Sequence, residues 1–210
     1  MITIYHLFVS LLLLSSGCNA PTQKDTAAEV KKPSLDIDKT SDKAKQALQF
    51  CESKKYNKEF CILIDMSLHS GVKRFCIWDF NKDTISHSFL VGHGCCDNAW
   101  NNDESKSSPR FSNIDGSHCS SLGKYKIGER GYSDWGVHVK YLLHGLESSN
   151  NNALKRQIVF HSWEVVSDEE VFPAGTPEGW GCPTLSNASF LIVDKKLKTS
   201  ASPVLMWIYD

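Results

Sequence analysis

Short apolar segments separated by polar, turn-forming clusters dominate the chain beyond residue 60. The segments are rich in Ile, Val, Phe and Trp, which favour strands, and clusters such as His69-Ser70-Gly71 interrupt them as turns interrupt consecutive hairpins. This pattern predicts a mainly β domain. The predicted strands are residues 61–66, 73–80, 84–92, 123–127, 136–143, 157–163 and 204–209.

Two further segments have the apolar spacing of a helix. The first is predicted over residues 43–55, with Ser41 or Asp42 as its N-cap, and the second over residues 187–198. The apolar positions of the first helix are Ala44, Ala47, Leu48 and Cys51. Residues 92–120 show little periodicity and many small polar side chains, so we expect a long functional loop there.

The chain begins with an apolar run over residues 4–14 that is followed by Ser15-Ser16-Gly17-Cys18. The run is too short to span ~30 Å of hydrocarbon, so it indicates an export signal. Small residues before a cysteine resemble a bacterial lipoprotein signal, which implies cleavage before Cys18 and a lipid on its thiol. The alternative is an ordinary secretory signal in which Cys18 is incidental. The predicted organisation is a signal peptide at 1–17, a flexible tether at 18–41 and one domain at 42–210.

Composition narrows the possible partners. The 210 residues suit one domain with an appendage, and six Trp and ten Phe can form a substantial core. Twenty-three Lys and Arg against 24 Asp and Glu give a net charge of −1, which argues against binding nucleic acid. We therefore expect an exported protein of the periplasm, anchored to the membrane by its N-terminal lipid, and a monomer.

The cysteine count points to one reactive thiol. Without Cys18, seven cysteines remain, and an odd number in an exported protein leaves at least one unbridged. If Cys182 is the free thiol, three bridges among the other six could connect in 15 ways, and the sequence does not choose between them. The adjacent Cys95 and Cys96 could bridge to distant partners or form a vicinal pair.

Candidate chemistry concentrates at His161, which ends a predicted strand, and at Cys182 in the segment Gly179-Trp180-Gly181-Cys182-Pro183. A thiol is a weak nucleophile until it ionises, and a neighbouring imidazole can accept its proton. Gly181 permits a sharp turn that exposes the thiol and directs backbone N–H groups toward a developing oxyanion. A Cys and a His are thus the minimal pair for nucleophilic catalysis.

Several segments in order resemble the exported murein L,D-transpeptidases, in the branch whose catalytic segment ends in Trp-Gly-Cys-Pro. The likeness covers roughly residues 60–210. Besides the Cys182 segment, it includes residues 90–94, 111–113, 120–125 and 145–147. It differs at Gly179, where such proteins commonly have Ser or Thr, and at Thr184, where many relatives outside this branch have Arg.

The resemblance implies an L,D-transpeptidase-type β-sandwich with a few short helices and an N-terminal helix. It implies Cys182 as nucleophile, His161 as general base and the Ser162 carbonyl as the group that orients the imidazole. An acyl-enzyme thioester would form from a peptidoglycan tetrapeptide stem and pass to an amine acceptor, with no cofactor. The expected oxyanion residue is Gly181, and the expected substrate contacts are His93, Gly94, Ser121 and Trp180.

Two other functions stay open at this point. An L,D-carboxypeptidase or another cell-wall cysteine hydrolase would use the same dyad with water as acceptor, and a non-catalytic wall-binding lipoprotein would bind peptidoglycan without turnover. His118 beside Cys119, and His138 with His144, invite a zinc site. However, the chain has no Cys-x-x-Cys and no His-Glu-x-x-His, so we expect no metal.

Overall fold

The computed structural model describes residues 31–98 and 105–210. The predicted signal peptide, the lipidation site Cys18 and most of the tether lie outside these ranges. Residues 32–210 form one compact unit. In the described part of the chain, neither helix combines the length and apolar character needed to cross a membrane.

The unit consists of two helices and one mixed eight-stranded sheet. The helices are α1 (Ile37–Lys54) and α2 (Asn187–Thr199). The strands are β1 (Phe60–Asp65), β2 (Phe75–Asp79), β3 (Thr84–Phe89), β4 (Gly123–Tyr132), β5 (Val139–Gly145), β6 (Val159–Ser162), β7 (Thr184–Leu185) and β8 (Leu205–Tyr209). Their order in the sheet is β3-β2-β1-β8-β4-β5-β6-β7, with β1–β8 and β6–β7 parallel and the other pairs antiparallel. The predicted mainly β fold with an N-terminal helix is confirmed.

The sheet curls until its two ends meet. Phe75 of β2 and Phe160 of β6 stack with ring centroids 5.9 Å apart, although four strands lie between β2 and β6 in the sheet order. The segment that follows β3 then joins the opposite end, because the Gly92 N–H donates to the Thr184 carbonyl of β7 at 2.9 Å. The result is a barrel-like sheet.

Both faces of the central strands are buried, which explains why their sequences are nearly continuous apolar runs. In β1, Ile62 and Ile64 point into the inner core with α2, whereas Cys61 and Leu63 belong to an outer core. Helix α1 covers that outer core with the small side chains that its spacing predicted, Ala44, Ala47 and Cys51. Small residues let a helix lie close to a sheet, so the helix can seal this face.

Helix α1 begins earlier than the predicted residue 43. Asp36 is its N-cap and accepts a hydrogen bond from the Lys39 N–H at 3.0 Å, while Thr40 is fully buried. The sequence pattern did not predict this first turn, because Thr40 is the only fully buried residue in it and threonine is not counted as an apolar residue. The predicted boundary between tether and domain at residue 41 therefore falls inside a helix.

The expectation of three disulfides was wrong. Cys96 is bonded to Cys119, and the remaining cysteines of the described residues, Cys51, Cys61, Cys76, Cys95 and Cys182, are free. Cys51, Cys61 and Cys76 pack in the outer core, where burial raises the pKa of Cys51 and of Cys76 to about 12. These thiols act as small apolar side chains, so an odd count did not identify the reactive one.

Candidate active site

A cavity of about 590 Å³ opens where β5, β6 and the segment before β7 come together. Apolar side chains form much of its wall, and charged groups stand among them. Its lining residues are Ser133, Asp134, Trp135, Lys140, Leu142, Leu154, Arg156, Gln157, Ile158, Val159, His161, Trp163, Gly179, Trp180, Cys182 and Thr184. Among the residues predicted from sequence, His161, Cys182 and Trp180 meet here.

His161 stands on β6 with only 8% of its surface exposed. Its Nδ1 lies 2.9 Å from the Ser162 carbonyl oxygen, which can only accept, so Nδ1 carries the hydrogen. In the neutral imidazole Nε2 is then the acceptor. Burial lowers the pKa of His161, with the Ser162 carbonyl opposing and Lys140 reinforcing the shift. The ring is therefore neutral at pH 7, as a general base must be.

Cys182 precedes β7 in the chain and is half-buried and unbridged. Its Sγ accepts a hydrogen bond from the Val159 N–H at 3.4 Å and lies 3.8 Å from the Gln157 carbonyl oxygen, to which the thiol can donate. Burial raises the pKa of Cys182, while the Val159 N–H, Arg156 and Lys140 lower it. Burial is the larger effect, so the pKa of the Cys182 thiol lies above its ordinary value and the thiol needs a base to accept its proton.

The strand register brings the thiol and the imidazole to one wall. His161 is paired with Thr184 in the parallel β6–β7 ladder, and Cys182 precedes Thr184 by two residues. Side chains two residues apart along an extended segment face the same side. No hydrogen bond joins Sγ directly to His161 within the described residues. Such contacts are commonly long in unliganded enzymes and shorten when substrate binds.

Gly181 lies in the left-handed region with φ +97°, and a Cβ at this position would collide with the Cys119 carbonyl oxygen. Its own carbonyl accepts a hydrogen bond from the buried Ser120 hydroxyl at 3.3 Å. Within the described ranges, the backbone N–H groups of Gly181 and Cys182 donate no hydrogen bond. The turn thus requires glycine, and it leaves two hydrogen-bond donors beside the Cys182 thiol.

Three of the predicted substrate contacts do not line the cavity. His93 is fully buried, with its ring 2.8 Å from the Arg74 guanidinium, 2.9 Å from the Ser105 hydroxyl and 3.2 Å from Glu178. Gly94 pairs with Gly179 through the backbone. These contacts hold the segment after β3 against the loop that precedes Cys182, so they support the cavity wall without lining it. A His between two glycines in a loop gave no signal of such burial.

Ser121 is also buried, and its hydroxyl donates to the Ser112 carbonyl at 2.8 Å and accepts from Arg156. Trp180 is the predicted contact that reaches the cavity. It is 55% exposed and stacks on His118 with ring centroids 4.6 Å apart. An aromatic side chain fixed in this way forms a flat wall at the mouth of the cavity.

The sequence prediction missed Arg156 and Lys140, the two basic side chains other than His161 in the cavity wall. Arg156 stands in a polar stretch with the composition of a solvated loop. Lys140 faces His161 across the β5–β6 ladder, and that pairing is not visible in a sequence. In the described part of the chain no three or more His, Cys, Asp or Glu side chains cluster as metal ligands would. His118 instead stacks on Trp180, and His144 lies 3.0 Å from Glu129.

The fold and the cavity together define a class: a β-rich protein with a free, half-buried thiol and a neutral imidazole on one wall. The L,D-transpeptidase catalytic domain family model matches residues 31–209, nearly the whole described range. The chain belongs to this family, whose enzymes act on cell-wall peptidoglycan. No curated protein matches the chain.

Among solved structures, the chain is similar to the helical cell shape determining protein Pgp2 from Campylobacter jejuni. Two crystal structures of Pgp2, one of a mutant, give 11% identity with TM-scores of 0.47 and 0.45. The match covers 74% and 77% of this chain but 48% and 55% of Pgp2, so the chain spans about half of that protein's length. A crystallised L,D-transpeptidase from Xylanimonas cellulosilytica gives 9% identity and a TM-score of 0.40, covering 77% of this chain and 68% of its own.

Proposed function

We propose that the protein is a peptidoglycan L,D-transpeptidase that uses Cys182 as its nucleophile. The observation that carries the proposal is the meeting of an unbridged thiol with a neutral imidazole in one cavity, in a chain of this family. Because Nδ1 of His161 donates its hydrogen to the Ser162 carbonyl, Nε2 is the ring nitrogen that can accept a proton.

In the first step, His161 takes the thiol proton and the Cys182 sulfur attacks the carbonyl carbon between the diamino residue and D-Ala of a tetrapeptide stem. Negative charge develops on the carbonyl oxygen, and the N–H groups of Gly181 and Cys182 are donors for it. The C–N bond then breaks, D-Ala leaves with the proton from the His161 imidazolium, and a thioester remains.

In the second step, the amine of another stem attacks the thioester carbon and gives its proton to His161. The C–S bond breaks, the thiol is re-formed, and an amide joins the two stems. Positioning of the two peptides and stabilisation of the oxyanion supply the rate enhancement. No step needs a metal or an organic cofactor.

We also propose that the protein works outside the cytoplasmic membrane, since its substrate class is cell-wall peptidoglycan. The apolar N-terminal segment with Cys18 supports export and lipid anchoring. We further propose that its partners are peptidoglycan stem peptides and, through the lipid, the membrane. The protein would act as a monomer and would not bind nucleic acid.

A carbapenem tests the nucleophile. We expect it to add covalently to the folded protein with a mass increase of one molecule on the peptide that contains Cys182, and Cys182→Ala to abolish the adduct. Cys95→Ala is the matched control, because Cys95 is a second free but buried thiol, and it should leave the adduct unchanged. A folded protein with an alkylatable Cys182 and no adduct would contradict the proposal.

Muropeptide products distinguish the reaction. Incubation with tetrapeptide stems should give dimers joined between two diamino residues, with release of D-Ala. Tripeptides without dimers would indicate the carboxypeptidase. Cosedimentation with peptidoglycan that survives Cys182→Ala, with no change in any stem, would indicate the wall-binding protein.

A further inference from the structure

Arg156 ties the cavity wall to the segment behind it. Its Nη1 donates to the Ser112 carbonyl at 2.9 Å and to the Ser121 hydroxyl at 2.5 Å. Its Nη2 donates to the Ser117 hydroxyl at 3.3 Å and to the Cys119 carbonyl at 2.5 Å. One guanidinium thus holds four oxygen atoms of residues 112–121. The planar fork of Arg suits this task, and the three donors of a Lys ammonium do not.

The oxygen atoms held by Arg156 lie close to the nucleophile. The Cys119 carbonyl is the atom that a Cβ on Gly181 would strike, so its position limits where the Gly181 turn can lie. Residues 157 and 159, which follow Arg156, supply the carbonyl and the N–H that contact the Cys182 sulfur. A shift of Arg156 would therefore disturb the thiol from two sides.

The charge of Arg156 is not neutralised by an ion pair within the described residues. All four of its hydrogen bonds go to uncharged oxygen atoms, and its Nε is buried without a hydrogen-bond partner. The other charged or titratable groups of the cavity are Lys140, Asp134, His161 and Cys182 itself, and Tyr125 and Asp115 also interact with the Arg156 charge. A partly desolvated cation without an ion pair favours a nearby anion, because the dielectric screening of bulk water is reduced there.

We infer that Arg156 is a positioning residue of this site: it fixes the segment behind the Gly181 turn and supplies the positive charge that stabilises the Cys182 thiolate. The inference rests on the proposed role of Cys182 as nucleophile. Arg156 does not exchange a proton with the thiol. Its contribution is the field at the sulfur and the placement of the Cys119 carbonyl.

Alkylation of Cys182 tests the charge without any turnover. The rate of modification by neutral iodoacetamide is followed against pH on the peptide that contains Cys182, and Arg156→Gln should move the midpoint to higher pH. Anionic iodoacetate should react with wild-type Cys182 faster, relative to iodoacetamide, than it does with free cysteine. This preference should fall about twofold or more in Arg156→Gln, because the cation that attracts the anion and the thiolate has gone.

Two variants separate charge from geometry. Arg156→Lys keeps the charge but loses the fork, so the alkylation midpoint should stay near that of the wild type while amide exchange of residues 112–121 becomes faster. Lys155→Gln is the matched control, because it removes a neighbouring charge that is 71% exposed and lies 3.5 Å from Asp115. It should leave the alkylation midpoint unchanged; because Asp115 itself lies within residues 112–121, this variant is the control for the charge alone and not for amide exchange.

An unchanged midpoint in a folded Arg156→Gln protein would overturn the electrostatic role, and so would an equal shift in Lys155→Gln. If Arg156→Gln does not fold, the electrostatic role is tested by the iodoacetate preference of the wild type and of Arg156→Lys. The inference requires that both proteins show this preference, and its absence from the wild type would overturn the electrostatic role. Unaltered exchange of residues 112–121 in Arg156→Lys would overturn the positioning role. A missing carbapenem adduct with the alkylation results as expected would instead contradict the proposed function.

Discussion

Gly181 is a residue of the site that no other amino acid can replace without strain. Its φ of +97° is costly for any side chain, and a Cβ would meet the backbone of Cys119, which cannot turn aside as a flexible side chain can. At Gly179, two residues earlier, an added Cβ would meet no atom within 4 Å. The two glycines of one segment therefore have different physical reasons to be there.

We expect Gly181→Ala to lower the free energy of unfolding by more than about 1 kcal/mol, since alanine must adopt a left-handed conformation against a backbone atom. Gly179→Ala should leave it unchanged or raise it by up to about 1 kcal/mol, because alanine restricts the unfolded chain. Urea denaturation of both variants measures the difference. Equal stability of the two would show that the turn relaxes around the added methyl group.

Lys140 contributes, after burial, to the lowered pKa of His161. Its positive charge disfavours a second positive charge on the imidazole, so it lowers the pKa of His161. Lys140→Gln should raise that pKa, and the acid limb of the pH–rate profile should move to higher pH. The alkaline limb should move in the same direction, since Lys140 also lowers the pKa of Cys182.

Titration of the His161 ring by NMR measures the first shift directly. Lys126→Gln, which removes a cation from β4, is the control and should leave the ring's titration unaltered. A His161 midpoint that falls in Lys140→Gln would contradict the electrostatic account. A midpoint that rises with no movement of the acid limb would show that His161 is not the base.

The sequence predicted the residues whose chemistry is local and missed those whose role depends on the fold. Cys182 and His161 were singled out because they lie among several segments that resemble the L,D-transpeptidases in order and spacing, whereas a Cys beside Gly or a single His on a strand is a weak signal by itself. The burial of His93 depends on Arg74 and Glu178, which are distant in the chain. Arg156 was missed for the same reason, because its four acceptors lie in a segment that precedes it by many residues.

At the scale of elements, type was easier to predict than length. Strands β1 and β8 and helix α2 were predicted within one residue at each end, because the two strands are short apolar runs between polar residues and α2 has the apolar spacing of a helix. Strand β4 continues five residues past its predicted end. Its outer half is exposed and polar, and it is held by pairing with β5 and by the 2.8 Å ion pair between Arg130 and Asp194. Strand β7 has two residues, which is too few to show any period.

The first turn of helix α1 belongs to the folded domain. That turn contains the Asp36 cap, the buried Thr40 and Lys39, whose ammonium lies 3.0 Å from the Asp65 carboxylate, a group with 2% exposure. A chain shortened to begin at residue 42 should therefore be less stable than one that begins at residue 31. Loss of the cap alone costs about 0.5–2 kcal/mol, and the buried carboxylate also loses its cation.

Urea midpoints of the two shortened proteins measure the cost, and the same slope in both would show that only stability has changed. Asp36→Asn in the longer protein is the control, because Asn caps a helix about as well as Asp. Should the two shortened proteins unfold at the same urea concentration, the first turn contributes nothing and the domain begins near residue 42 as the sequence predicted.

At the scale of the whole molecule, closure of the sheet creates the site. The segment after β3 reaches β7 only because the sheet curls through all eight strands, and that contact places Gly92 against Thr184 and Gly94 against Gly179. No pattern in the sequence specifies how far a sheet curls, because twist accumulates over strands that are distant in the chain. The sequence could therefore predict most of the strands and single out Cys182 as the candidate nucleophile, but it could not predict the wall around it.

The Cys96–Cys119 disulfide fastens this closed arrangement. It links the segment that follows β3 to the segment whose carbonyl is held by Arg156, over a sequence separation of 23 residues. Replacing both cysteines by serine should lower the free energy of unfolding by about 3 kcal/mol, because the unfolded chain regains the freedom of a loop of that length. Cys95→Ala, which removes the adjacent free thiol, should cost much less.

Urea denaturation with and without reductant provides the measurement. The reductant should destabilise the wild type and Cys95→Ala and have no effect on the double serine variant, so that all the reduced proteins unfold at similar urea concentrations. If the reductant changes neither the urea midpoint nor the disulfide of the wild type, the bond is shielded from the reductant in the native state. A double variant as stable as the oxidised wild type would mean that the curled sheet alone holds the two segments together, and that the bond adds no measurable constraint to the unfolded chain.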